Sequence, residues 1–234
     1  MTKVAIGVLA GSAFVFGVGV SSAQAAPATV YLTGETVRHI ANDGQTNVVS
    51  ITNSGSKIVV KDTVGLSAGE GCTQTNSMTV SCPLPNTMVL DLKDGNDVLT
   101  NGSSVRVFAY GGPGNDVLNG GAANEGLFGD DGDDVINGNA GSDFLNGGTG
   151  NDVINGGAGD DRIDDSEGND TISGGAGNDY IQENSGTDTV NGDSGNDTIY
   201  SLDQTDDVIN CGSGTDSYGL DPGDTRSGCE TSLN

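Results

Sequence analysis

The sequence predicts an all-β chain whose body is a parallel β-roll, a β-solenoid of 18-residue coils. Three observations predict it. From Gly111 the chain falls into nines, Gly111-Gly112-Pro113-Gly114-Asn115-Asp116-Val117-Leu118-Asn119 being one unit, and ten units run without a gap from 111 to 200. One inserted residue on each side, Tyr110 and Ser201, extends the register to 92–219 and to fourteen units. Within them position 4 is Gly in eleven and position 6 is Asp in twelve. Position 8 is a large apolar residue in all fourteen: Leu99, Phe108, Leu118, Leu127, Ile136, Leu145, Ile154, Ile163, Ile172, Ile181, Val190, Ile199, Ile209 and Tyr218.

Each unit therefore reads as a six-residue turn and a three-residue strand with one inward side chain. Glycine at position 4 permits the positive φ of a tight turn. Two units close one coil, and coils stack at about 4.8 Å, the spacing of paired strands. The inward residues of the two strand columns form a thin core, and the turns of units n and n+2 lie against each other. Position 9 is often Asn (Asn119, Asn137, Asn146, Asn155, Asn191, Asn210), which predicts a side-chain ladder at the entry to the turns.

Composition narrows the function classes. The 234 residues carry 33 Asp and Glu against 8 Lys and Arg, a net charge of −25, so a nucleic-acid partner is excluded by repulsion from phosphate. With 40 Gly and no Trp the chain has the composition of a disordered polymer, but a fixed period overrides that reading.

Residues 1–25 read as a secretory signal peptide. Lys3 supplies the positive start, Val4 to Val20 is apolar, and Ala23-Gln24-Ala25 fits the small-x-small cleavage rule. A membrane anchor is the competing reading of that apolar run, but no basic residue follows it until Arg38. The expectation is a secreted, extracellular chain with no stable membrane insertion after cleavage. Cys72, Cys82, Cys211 and Cys229 then suit disulfides. Of the three connectivities open to four cysteines, the local pairs Cys72–Cys82 and Cys211–Cys229 are expected. The absence of C-x-x-C weakens a zinc or redox reading. Residues 26–91 are short Thr/Val-rich runs between Asn/Gly/Ser turns, expected to be short strands forming irregular first coils that cap the roll. Residues 220–234 read as the C-terminal cap, since solenoids need atypical ends.

The position-6 aspartates carry the chemistry. On one side of the roll they run Asp97, Asp116, Asp134, Asp152, Asp170, Asp188; on the other Asp143, Asp161, Asp179, Asp197, Asp216. Solvated turn formers would not need Asp at one fixed position, and like charges stacked about 4.8 Å apart require a counterion. Turn carbonyls plus carboxylates from two adjacent turns give an all-oxygen cage, which suits Ca2+ over Zn2+, copper or Mg2+. The repeat resembles the repeats-in-toxin, or haemolysin-type, calcium-binding nonapeptide family, G-G-x-G-x-D-x-U-x. The resemblance implies a calcium ion between turns n and n+2, held by turn carbonyls and the eleven aspartates just named. Arg106 and Glu125 replace the Asp, and Ser104 and Ala123 the Gly, so those two turns are expected to bind poorly. Thr205 replaces the Gly in the turn of Asp207. Asp165-Ser166 and Glu183-Asn184 replace the leading Gly pair, which weakens the sites using those turns.

Catalytic constellations are missing. Gly65-Leu66-Ser67-Ala68-Gly69 matches G-x-S-x-G, but a nucleophile elbow needs a strand–turn–helix setting and a later His, and the only His, His39, precedes it. One His also excludes an H-E-x-x-H zinc protease, and no EF-hand spacing fits. Position 7 carries Val98, Val117, Val135 and Val153 on one outer face and Phe144 and Tyr180 on the other; β-propensity accounts for both, with a partner-binding face as the alternative. The units lack the Thr-x-Thr rows of an ice-binding surface. A signal peptide, cysteines and the lack of a pore-forming apolar domain set the chain apart from the toxin branch. The reading is a secreted, non-enzymatic calcium-binding roll, with an adhesion or matrix module of unidentified protein or polysaccharide partner as the alternative.

Overall fold

The computed structural model describes residues 27–233, so the leader assigned to 1–25 lies outside the described residues. The strands form two twelve-stranded sheets, and through the repeats successive strands alternate between them. In one sheet Phe144–Thr149 lies between Gly126–Asp131 and Arg162–Asp164; in the other Val153–Ala158 lies between Val135–Ala140 and Thr171–Ala176. These pairings are parallel and step by one coil, with Ile136 opposite Ile154, Ile154 opposite Ile172 and Leu127 opposite Leu145. The nonapeptide period thus becomes a stack of 18-residue coils, with turns down two edges and a sheet on each face.

Position 8 builds the core. Leu118, Leu127, Ile136, Leu145, Ile163 and Ile172 are fully buried, and so are their equivalents up to Ile199. The core is one side chain deep from each sheet, so every coil depends on its neighbours to exclude water. Most strands of the roll are longer than three residues, though Val117–Asn119, Arg162–Asp164 and Val208–Asn210 keep to three. Pairing runs from Val135–Val153 through Ala140–Ala158, because glycines such as Gly138 have no side chain to splay the coils: a Cβ there would lie 2.5 Å from the Gly156 carbonyl.

Phe108 does not point inward as the aligned repeat predicts. Ala109 stands opposite Leu127 and Phe108 opposite Gly126, so Val107 and Ala109 fill the interior and Phe108 lies on the outer face. The extra residue is absorbed before this strand, in the turn at 101–106, rather than at Tyr110. Gly126 leaves room for the ring: a Cβ there would lie 2.5 Å from it. The Arg106 guanidinium covers its other side at 4.5 Å.

Residues 28–91 form short strands, but not a plain run of coils. Thr36–Ile40 and Val48–Ser54 stack in parallel on Thr87–Asp91 and Val98–Gly102, making one coil. Lys57–Asp62 and Thr79–Pro83 then fold back antiparallel, as does Ala28–Thr33 onto Thr36–Ile40. The outermost strands at this end are Leu66–Ala68 and Thr73–Asn76. Cys72 and Cys82 are joined there, with Cα atoms 4.3 Å apart.

At the far end Thr225–Ser227 adds to Val208–Asn210 and Thr231–Ser232 to Ser217–Leu220. A Cys211–Cys229 disulfide ties this last segment to the roll. Its strands are exposed, so the bridge and a few backbone bonds hold it. Reduction is expected to expose the Thr225 and Thr231 amides, which donate to the Asp207 and Asp216 carbonyls at 2.8 and 2.9 Å, while the Ile154 coil stays protected. Hydrogen exchange with and without reductant reads this; simultaneous loss of protection at both places would contradict it.

Candidate metal centre

The position-6 aspartates form two buried ladders. Down one edge the backbone N–H of Asp97 donates to Oδ1 of Asp116 at 2.7 Å, Asp116 to Asp134 at 2.6 Å, Asp134 to Asp152 at 2.7 Å, Asp152 to Asp170 at 2.8 Å, and Asp170 to Asp188 at 2.6 Å. Down the other Asp143 donates to Asp161 at 2.8 Å, Asp161 to Asp179 at 2.8 Å, Asp179 to Asp197 at 2.9 Å and Asp197 to Asp216 at 2.8 Å. All eleven sequence-predicted residues are buried, none more than 4% exposed. The two edges bring them together in the two sets the repeat spacing predicts.

Each ladder bond uses one oxygen, and at ten of the eleven aspartates the other is left. Oδ2 of Asp97, Asp116, Asp134, Asp143, Asp152, Asp161, Asp179, Asp188, Asp197 and Asp216 is buried without a hydrogen-bond partner. One unpartnered buried acceptor is costly, and a regular row of them marks where a ligand belongs. Burial pushes Asp116, Asp143, Asp152, Asp170 and Asp179 up to about 7 and Asp134 and Asp197 up to about 6. It also raises Asp97, Asp161 and Asp188, and ladder neighbours add to the rise at Asp116, Asp152 and Asp179.

Position-1 glycines shape the space into which Oδ2 points. A Cβ built on Gly129 would lie 2.1 Å from Oδ2 of Asp134 and 2.4 Å from the carbonyl oxygen of Gly147 in the next coil. Gly111, Gly138 and Gly156 repeat this arrangement with Asp116, Asp143 and Asp161 and the carbonyls of Gly129 and Gly156 and Gly174. Each cradle is thus lined by a carboxylate oxygen and a carbonyl oxygen and is too small for a methyl group beside them. Position 4 sets the coil spacing: Gly159 has φ +138°, and a Cβ on it would lie 1.7 Å from the Gly141 carbonyl. An oxygen-only cradle with an unpartnered carboxylate oxygen fits a hard divalent cation and does not fit zinc or copper.

The departing turns differ as their sequences suggest. Glu125 reaches the ladder position, but its oxygens accept from Gly121 N at 3.2 Å and Asn101 Nδ2 at 3.4 Å. The turn at 101–106 closes on itself through Ser103 Oγ to Asn101 Oδ1 at 2.6 Å.

Three features were given no ligand or ladder role by sequence reasoning. Position 5 makes a ladder of its own, with Asn151 N donating to Asp133 Oδ1 at 2.8 Å and Asn178 N to Asp160 Oδ1 at 2.8 Å. The recurrence of Asn, Asp or Ser at that position was the available signal. Asp207 belongs to the first ladder, accepting from Asp188 N at 2.8 Å. Asp165 and Glu183 turn their carboxyls inward and are 1% and 2% exposed. The position-9 asparagines pair only in places, as Asn137 Nδ2 to Asn119 Oδ1 at 3.0 Å.

Comparison with known proteins decides what these turns are. Residues 108–136, 128–163, 155–182 and 184–218 each match the RTX calcium-binding nonapeptide repeat. The roll matches this repeat over 108–182 and 184–218. The units at 92–107, which the period also includes, fall outside the matched segments. None of the curated proteins compared with the chain matches it. RTX repeats are a calcium-binding motif, and carboxylate and carbonyl oxygens line both edges of this roll.

Proposed function

We propose that this chain is a secreted, non-enzymatic calcium-binding protein whose RTX roll folds on binding several Ca2+ ions. The observation that carries the reading is the repeated buried Oδ2 without a partner, which at Asp116, Asp134, Asp143, Asp152, Asp161, Asp179 and Asp197 faces a glycine cradle. Asp97, Asp116, Asp134, Asp152, Asp170 and Asp188 on one edge, and Asp143, Asp161, Asp179, Asp197 and Asp216 on the other, would supply the carboxylates. Position-1 carbonyls would supply neutral oxygens. The bound cation contributes positive charge between consecutive turns, where the ladder otherwise stacks carboxylates. The signal-peptide reading of 1–25 and the two disulfides support export into an oxidising, calcium-rich compartment.

Calorimetry on the purified chain is expected to count about seven to nine calcium ions at the weak affinities of extracellular modules, about 10⁻⁴ to 10⁻³ M. Two or fewer ions would refute two filled edges.

One observation favours a second reading, an adhesion or matrix module on a calcium-stiffened scaffold. Tyr110, Phe128 and Phe144 stack along one outer face at centroid distances of 4.9 and 5.5 Å, and Arg162 bridges Phe144 to Tyr180. Saturable binding to a polysaccharide or surface, lost in Phe128→Ala with the roll intact, would establish that reading.

A further inference from the structure

The cradle at Gly147 departs from its neighbours in one atom. At Gly111, Gly129, Gly138 and Gly156 a Cβ would meet the Oδ2 of its own aspartate and the position-1 carbonyl of the next coil. At Gly147 it would meet Oδ2 of Asp152 at 2.2 Å and then Oδ1 of Asp165 at 2.6 Å. Asp165 stands where the units starting at Gly111, Gly129 and Gly147 have glycine. Its side chain therefore brings an anionic oxygen to the place where those cradles have a neutral carbonyl.

That carboxylate is held in position. Its Oδ1 accepts from Gly148 N at 3.2 Å and Ser166 N at 3.0 Å. Its Oδ2 is buried without a partner, as is Oδ2 of Asp152, and both residues are 1% exposed. Asp152, Asp165 and Asp170 each offer one oxygen, all within 4.8 Å of one another. Three carboxylates fixed by backbone donors are a preformed cation site with one more negative charge than the ordinary cradles. Affinity for Ca2+ rises with ligand charge and site rigidity.

We propose that Asp152, Asp165 and Asp170 form a three-carboxylate cation site, the tightest Ca2+ site of the roll, and that Asp165 is the ligand that makes it so. This rests on the calcium reading of the ladders above. A trivalent lanthanide should prefer the site for the same electrostatic reason.

The test is titration of the full chain with Ca2+, and with Tb3+ followed by luminescence, for wild type, Asp165→Gly and Asp165→Asn. Wild type is expected to bind one ion about tenfold more tightly than the rest, and Tb3+ in that site to be the last displaced by Ca2+. Asp165→Gly restores the residue of the neighbouring units and so keeps the turn. It should move that ion into the weak class without lowering the total. Asp165→Asn, which keeps the shape and removes the charge, should do the same. A tight site that survives in either variant overturns the proposal, as does tighter binding or an extra ion in Asp165→Gly, which would make Asp165 a plug. A chain that binds no calcium in any form overturns the calcium reading itself, whereas superposable isotherms with several bound ions overturn only this site.

Discussion

In calcium-free buffer at pH 7 the chain is expected to show no β-sheet circular-dichroism signal, and about 1 mM calcium is expected to restore it in one cooperative step. The ladders give the reason. Ordering them buries carboxylates one coil apart, such as Asp134, Asp152 and Asp170, in a chain of net charge −25. The one-residue-deep core cannot offset that repulsion, so cation binding free energy becomes folding free energy. Nearest-neighbour contact between coils spreads the step along the stack.

Protons are expected to substitute for calcium in part, with a definite sign. Burial raises Asp116, Asp143, Asp152 and Asp179 from an ordinary 3.8 to about 7 in the roll. A group whose pKa is raised on folding stabilises the folded state fully below its unfolded value and loses that contribution as pH rises through its folded value. Acidifying calcium-free protein from pH 7 towards pH 4 should therefore bring the β signal up, most of it between pH 7 and 5. The affinity of the folded chain for calcium should fall over the same range, because proton and ion compete for the same oxygens. A full β signal in chelator at pH 7, or a signal that falls on mild acidification, contradicts the scheme.

The fold was largely readable because a nine-residue period with apolar position 8 and Gly position 4 admits few backbones. Asp97 to Asp188 and Asp143 to Asp216 could be sorted into two edges by counting, since the register is one coil per 18 residues. What counting could not supply was the division of labour within each carboxylate. That Oδ1 is taken by the preceding coil's N–H while Oδ2 is left free depends on three-dimensional placement. Phe108 was misplaced because an insertion in a turn moves freely along the sequence, and only the pairing of Ala109 with Leu127 fixes it. The antiparallel strands at 57–83 carry the same Thr/Val pattern that parallel coils would, so hydrophobic alternation could not separate the two.

Asp161→Asn and Gly156→Ala separate a cation site from a purely structural ladder. In the roll Asp161 Oδ1 accepts from Asp143 N at 2.8 Å, and an asparagine Oδ1 keeps that bond. Oδ2 faces the cradle that the Gly174 carbonyl also lines. Replacing it with an amide N–H provides a donor where two acceptors now meet and removes one buried charge. Asp161→Asn is therefore expected to make the calcium-free chain more ordered than wild type, by about 1–2 kcal/mol. In calcium it should be the less stable protein, because the sites on either side of Asp161 lose a carboxylate. The wild-type and variant stability curves should cross as calcium rises. Gly156→Ala should show no crossing. Its methyl would sit 2.4 Å from the Gly174 carbonyl and 2.5 Å from Asp161 Oδ2, so it both fills the cradle and forces the coils apart, costing about 2–4 kcal/mol at every calcium concentration. Urea melts at low and high calcium measure both. If Asp161→Asn is equally destabilised with and without calcium, the aspartate is only a rung of the ladder, and the cradles hold no ion.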